Sequence, residues 1–213
     1  MKIVTLSDLH TLYHEVVVPD GDVLVVAGDI TGTGTKFQLE QFNEWIKTLP
    51  HKHKLVIAGN HDWGFYHGYH KTLPHVVDGY TYLEDEAVTI EGVKFYGTPW
   101  QPEFCNWAFN LPRGEELAER WAEIPDDTDV LITHGPPHTI LDSNIAPDDP
   151  RVNFGCEELY KRVMEVKPKY HIFGHIHGSY GQKEVEGITF VNTSICTEMY
   201  KPTNKPWVLE YEI

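Results

Sequence analysis

Five short apolar runs in this chain each end in a side chain able to bind a metal ion. Ile3-Val4-Thr5-Leu6-Ser7 leads into Asp8 and His10, and Val23 to Gly28 leads into Asp29. Leu55 to Gly59 leads into Asn60 and His61, Val130 to Thr133 into His134, and His171-Ile172-Phe173-Gly174 into His175 and His177. Short runs rich in β-branched residues and bounded by turn residues read as buried strands. In open sheets the reactive groups collect outside the carboxyl ends of the strands. Five strands therefore aim carboxylate, amide and imidazole groups at one place, an arrangement suited to two divalent cations.

Strand and helix candidates alternate along most of the 213 residues, without repeats or linkers, as expected of one layered α/β domain spanning 1–213. Thr35 and Gln38 have capping-box spacing, and Phe42, Trp45, Ile46 and Leu49 then follow a helical period until Pro50. Further helices are expected from Cys156 to Val166 and from Gly114 to Ala122. Val88–Ile90 and Val93–Gly97 read as a strand pair about Glu91-Gly92, and 183–186, 188–192 and 207–213 as strands. The stretches 60–85 and 98–128 are long and aromatic, as functional loops tend to be.

The three cysteines are too few and too widely spaced for a disulfide framework or a thiolate zinc site, and read as free packing residues. Met1 to Asp8 is too short an apolar run for a signal peptide, and no segment reaches the ~20 apolar residues of a membrane span. The chain is therefore expected in the cytoplasm, and Asn192-Thr193-Ser194 reads as a coincidental glycosylation motif. The net charge of −15, without a cluster of Lys and Arg, argues against long nucleic acid and for a small phosphorylated substrate. Asp126, Asp127 and Asp129, and Asp148-Asp149-Pro150, read as solvated turns.

In chain order the motifs are Asp8-Leu9-His10, Gly28-Asp29, Gly59-Asn60-His61-Asp62, His134-Gly135-Pro136-Pro137 and Gly174-His175-Ile176-His177. This set resembles the calcineurin-like metallophosphoesterase superfamily, block by block and over nearly the whole chain. Thr133 to Pro137, Gly174 to Gly181, Val191 to Ser194 and Gly97 to Trp100 are similar to its small MPPED-type metallophosphodiesterase branch. The resemblance implies a four-layer α-β-β-α sandwich, two mixed sheets face to face and flanked by helices. It also implies that Asp29 bridges two metal ions, that Asp8, His10 and His177 complete the first, and that Asn60, His134 and His175 complete the second.

Two cations about 3.5–4 Å apart can neutralise a phosphoester, generate hydroxide at neutral pH and clamp the attacking and leaving oxygens. Mixed oxygen and imidazole donors suit Mn, Fe, Zn, Co or Ni, of which Mn is our choice. His61 follows a ligand directly, so it can face the site without binding metal, and we assign it as general acid to the leaving oxygen or as a hydrogen-bond donor in the transition state. Asp62 is expected to orient or charge that imidazole. Among the aromatics, Trp63, Phe65, Tyr66, Trp100, Trp107 and Phe109 are candidates to stack on a substrate base. The function expected is hydrolysis of a small phosphodiester, a cyclic nucleotide being one example. A nuclease, a phosphomonoesterase and a non-catalytic binding module on the same fold are the alternatives.

Overall fold

The computed structural model describes residues 1–143 and 153–212. Among these residues thirteen strands occur in chain order: β1 Lys2–Leu6, β2 Val23–Ala27, β3 His53–Ile57, β4 Thr81–Tyr82, β5 Glu86–Ile90, β6 Val93–Thr98, β7 Gln101–Pro102, β8 Asn110–Leu111, β9 Val130–Thr133, β10 Tyr170–Phe173, β11 Gly181–Val185, β12 Ile188–Asn192 and β13 Trp207–Glu210. The helices are α1 Lys36–Lys47, α2 Trp63–Tyr66, α3 Tyr69–Thr72, α4 Glu115–Ala122 and α5 Glu157–Val166.

Two mixed sheets result. One has the order β13-β1-β2-β3-β4 and the other β11-β12-β10-β9-β6-β5, while β7 and β8 pair separately. The central strands of both sheets run parallel, and antiparallel partners occupy the edges: β13 in the first sheet, β5 and β11 in the second. Successive side chains of a strand point to opposite faces, and each central strand divides its apolar residues accordingly. In β1 and β2, Ile3, Val23 and Val25 face inward to meet Phe95, Val130, Ile132 and Ile172 of the other sheet. Val4, Leu6, Leu24 and Val26 face outward onto Phe42, Trp45 and Ile46 of α1. Leu131, Phe173 and Phe190 likewise cover Leu117 and Trp121 of α4 and Leu159 and Val163 of α5. The expected α-β-β-α sandwich is thus present, with three apolar layers.

Local chemistry sets the helix ends. Thr35 and Gln38 form the capping box foreseen for α1, and the Cys156 thiol caps α5 by accepting from the Leu159 amide. The strand pair about Glu91-Gly92 also forms, both residues taking left-handed backbone angles in the turn. Several expectations need correction. The 60–85 stretch is an ordered cover, holding α2, α3 and β4 and burying Phe65 and Val76 beside α1. Cys156 and Cys196 are buried, but Cys105 is exposed, so packing does not account for it. Asp126 and Asp127 do lie in an exposed turn, as expected, and also pair with Arg162 and Lys94; Asp129 differs, being half-buried and accepting from the Lys94 amide and the Tyr211 hydroxyl. The turn at Asp148-Asp149-Pro150 lies outside the described residues. Asn192 of the glycosylation motif is fully buried and donates to the Ile176 carbonyl, which no glycan could accommodate. Among the described residues no helix is long and apolar enough to cross a membrane.

His171 is a strand residue, as its position in β10 indicates, with Nε2 2.9 Å from the Thr133 hydroxyl. Burial pushes its imidazole down to about 3. Its ordinary value in an unfolded chain is near 6.5, so below that pH the unfolded state takes up a proton that the folded state refuses. The His171 contribution is therefore complete above about pH 6.5 and is lost as pH falls toward 3. His171→Phe should flatten the fall of unfolding free energy over that window by up to one proton, about 1.4 kcal/mol per pH unit. Urea titrations at stepped pH would measure this; equal slopes in the two proteins would show that His171 titrates normally.

Candidate metal centre

All seven residues expected to hold metal meet where the parallel strands of both sheets end. A bridge between Ser7 and Ser194 joins the sheets there, with the Ser7 amide donating to Thr193 and the Ile195 amide to Ser7. Beyond β1 the chain turns sharply, and Asp8 and His10 take left-handed φ angles of 53° and 42°. Asp29 after β2 and His175 after β10 do the same, at 52° and 66°. Left-handed backbone at a residue with a side chain costs free energy and persists only where the surroundings enforce it. Here the enforcing bonds are visible: the Asp8 amide donates to Gly28, the His10 amide to Asp29 and the Gly174 amide to His134.

Among the described residues, three sets of side chains each bring their donor atoms within 4.8 Å of one another: Asp8, His10 and His177; His10, Asp29 and His61; Asp29, His134 and His175. His177 Nε2 is 3.3 Å from Asp8 Oδ1 and 3.2 Å from His10 Nε2. His134 Nε2 is 3.4 Å from Asp29 Oδ2 and 3.0 Å from Asn60 Oδ1. The outer nitrogens are fixed by backbone, His134 Nδ1 by the Ala27 carbonyl at 3.0 Å and His177 Nδ1 by the Thr197 carbonyl at 3.1 Å. A nitrogen facing a carbonyl must donate, which leaves Nε2 of each ring for the centre, the usual orientation of a metal-ligating histidine. The donor set fits a pair of divalent cations, which would also reconcile the facing Nε2 atoms of His10 and His177.

Without cations the histidines balance the buried carboxylates. Burial alone would raise Asp8, but contact with His177 outweighs it and holds the carboxyl well below its ordinary range. Asp29 is held low in the same way by His134 and His10. Burial would lower His134, yet the Asp29 charge and hydrogen bond raise it to about 9. His175 is pushed down by burial and by the neighbouring His134, as suits a neutral donor.

The neighbours of His61 differ from expectation. Its Nδ1 is 2.9 Å from the Gly32 carbonyl, and among the described residues no hydrogen bond joins the ring to Asp62. The Asp62 carboxylate instead accepts from the amides of Ile30, Thr31 and Gly59 and from the Thr31 hydroxyl. Burial and then the Asp29 charge push it up to about 6. Asp62 thus ties the loop after β2 to the loop after β3, and Gly32 orients His61. A ring nitrogen of His61 also comes within reach of His10 and Asp29, closer than its assignment as a non-ligand required.

A cavity of about 570 Å³ opens over the centre. Of the six aromatics proposed for stacking only Trp107 lines it. Phe65 and Phe109 are buried, and Trp100 donates to Asp85 beneath the Arg120 guanidinium. Phe104, Phe154 and Tyr200 line it instead, having sat outside the motif blocks. Two serines were also missed: the hydroxyls of Ser7 and Ser194 both donate to Asp8 Oδ2. Ser194 stood in a segment similar to the family, a signal that could have found it.

Two mixed sheets thus bring carboxylates and imidazoles together at the carboxyl ends of their parallel strands, the donor set of a dinuclear metal hydrolase. Residues 1–179 match the family described as calcineurin-like phosphoesterase, and the chain belongs to that family of dinuclear-metal hydrolases. It is 40% identical to human metallophosphoesterase domain-containing protein 1, over 98% of this chain and 70% of that protein. It is 42% identical to the Caenorhabditis elegans UPF0046 protein K07C11.7, over 98% of this chain and 74% of the relative. Among solved structures, phosphopantetheinyl hydrolase from Mycobacterium tuberculosis superposes with a TM-score of 0.61 at 15% identity, covering 93% and 90% of the two chains. That likeness is one of fold.

Gly174 tests how tightly the centre is built. A Cβ there would lie 2.1 Å from both Asp8 Oδ2 and Ser7 Oγ, inside contact distance. Gly174→Ala should therefore displace Asp8 and weaken metal binding at least tenfold while far-UV circular dichroism stays native. Calorimetric titration with Mn would check this, and unchanged affinity would contradict the tight packing.

Proposed function

We propose that the protein hydrolyses a small phosphodiester at this centre. Asp8, His10 and His177 would hold one cation, Asn60, His134 and His175 the other, and Asp29 would serve both. The observation that carries the reading is a single atom: Asp29 Oδ2 lies 3.8 Å from His10 Nε2 and 3.4 Å from His134 Nε2, between the two donor sets. Bound there, two divalent transition metals, Mn by our choice, would supply charge neutralisation and an activated water.

The protein's own groups do the rest. The Asp29 Oδ1 atom accepts from the His61 amide, which fixes the loop that carries the acid. With Nδ1 committed to Gly32, the Nε2 of His61 is left to hand a proton to the departing alcohol oxygen. Asp62 acts at a distance, by keeping that loop in place.

Charge favours a diester over a monoester. The arginine in the cavity wall, Arg113, is already engaged by Glu157 and by the carbonyls of Gly155 and Phe154. Glu103 and Glu198 also line the cavity, without a basic partner among the described residues. Among the described residues, a phosphomonoester dianion would meet these carboxylates with no free guanidinium to hold its second charge, whereas a diester monoanion loses less. The basic residues of α5 offer no track for a nucleic-acid backbone, since Lys161 pairs with Glu158 and Arg162 with Asp126 and Glu165. The cavity's size suits a cyclic nucleotide or another small diester.

Metal-stripped protein reloaded with Mn should hydrolyse bis-p-nitrophenyl phosphate in clear preference to p-nitrophenyl phosphate. Asp29→Asn should lose both metals and nearly all turnover; two bound ions with full activity in that variant would sink the assignment, and preference for the monoester would make the protein a phosphatase. His61→Ala should retain metal and lose about 10²–10⁴-fold in rate. Its loss should be greatest for alcohols that leave poorly, as a series of aryl and alkyl diesters would reveal.

A further inference from the structure

Four rings form a row across the candidate centre. Trp107 lies over His61, with centroids 4.3 Å apart and planes 33° from parallel. His61 meets His10 edge-on at 4.7 Å, and His10 meets Tyr200 edge-on at 4.8 Å. Trp107 and Tyr200 are thus the two ends of this series of contacts, with His61 and His10 between them in it, and both line the cavity. Neither is a core residue: Tyr200 is 51% exposed and Trp107 is half-buried.

Tyr200 is held where it is at some cost. Its φ of 52° is left-handed, unusual for so large a side chain. Its amide donates to the Thr197 carbonyl at 2.8 Å, and the Thr197 amide donates to Lys201 at 2.9 Å. The same Thr197 carbonyl fixes His177 Nδ1. One tight turn therefore orients a histidine of the centre and presents a tyrosine ring to the cavity. Strain of this kind, maintained beside a reactive centre, points to use.

Building on the phosphodiesterase reading, we infer that Trp107 and Tyr200 set substrate specificity from opposite ends. Trp107 receives the departing alcohol, and Tyr200 receives the alcohol that stays on phosphorus. The reason is proton transfer. As hydroxide, formed from water by release of a proton to solvent, bonds to phosphorus, the bond from phosphorus to the leaving oxygen breaks, and that oxygen takes the proton from His61 Nε2, which is then reprotonated from solvent. The leaving oxygen must then lie within hydrogen-bond reach of His61, and what it carries extends along the face of Trp107. The other ester group is directed past His10 to Tyr200. The substrate class is a diester carrying a planar or apolar group on each alcohol, which the two rings can stack on or cover.

The test compares diphenyl with dimethyl phosphate as ligands of the Mn-loaded protein by calorimetry. The wild type should bind the diphenyl ester about 100-fold more tightly, and Trp107→Ala and Tyr200→Ala should each remove about tenfold of that preference. Tyr200→Phe, which keeps the ring, should retain it. Turnover then separates the ends: phenyl p-nitrophenyl phosphate and methyl p-nitrophenyl phosphate share a leaving group and differ in the retained one. Their ratio of kcat/KM should collapse in Tyr200→Ala and survive in Trp107→Ala. Unchanged binding preference in both alanine variants would overturn the inference, and so would a ratio lost in Trp107→Ala but kept in Tyr200→Ala. Ring-dependent binding without turnover of any diester would support recognition by the two rings while overturning the hydrolytic reading, and with it the leaving and retained assignments.

Discussion

Two carboxylates, Asp8 and Asp29, are buried almost completely where the two sheets meet, and much of the architecture serves to make that tolerable. An unpaired buried charge costs several kcal/mol. Each carboxylate therefore needs a partner of opposite charge and a full set of donors. Asp8 has His177 beside it, two serine hydroxyls and the His175 amide; Asp29 has His134, His10 and the His61 amide. The partners come from both sheets, so the site cannot form until the sandwich closes. The fold and the chemistry are therefore one construction.

Parallel strands account for how partners so distant in sequence converge. Every parallel strand points its carboxyl end the same way, and the two sheets are packed with those ends together. The link between Ser7 and Ser194 then joins the ends directly. Glycines permit the close approach: a Cβ at Gly59 would fall 2.3 Å from Asp29 Oδ1, and one at Gly28 2.5 Å from His134 Nδ1. The backbone is thus packed to the limit around the reactive groups, as the positioning of two cations demands.

Much of this was legible in the chain itself because strand ends and helix caps are written locally. Asp8, Asp29, Asn60, His134 and His175 each follow an apolar run, and the Thr35–Gln38 box marks the start of α1. The residues that sequence reasoning missed act through contacts without a local signature. Thr197 and Ala27 contribute carbonyls, which any residue could supply. Ser194 reaches Asp8 across 186 positions, and Gly32 rather than the adjacent Asp62 holds the His61 ring. The aromatics show the same limit. Composition lists them, but only packing separated Trp107 and Tyr200 at the cavity from Phe65 and Phe109 in the core.

The amino-acid sequence by itself determined the layered α/β class and the strand-end placement of the carboxylates and imidazoles, because these depend on period, turn chemistry and residue type, and its five motif blocks resembled the family to which the chain belongs. The tertiary structure alone decided which ring nitrogens face inward, that Arg113 is already engaged and which aromatic rings line the cavity. Those outcomes depend on distances between segments brought together by two packed sheets, and no local rule of sequence encodes such distances.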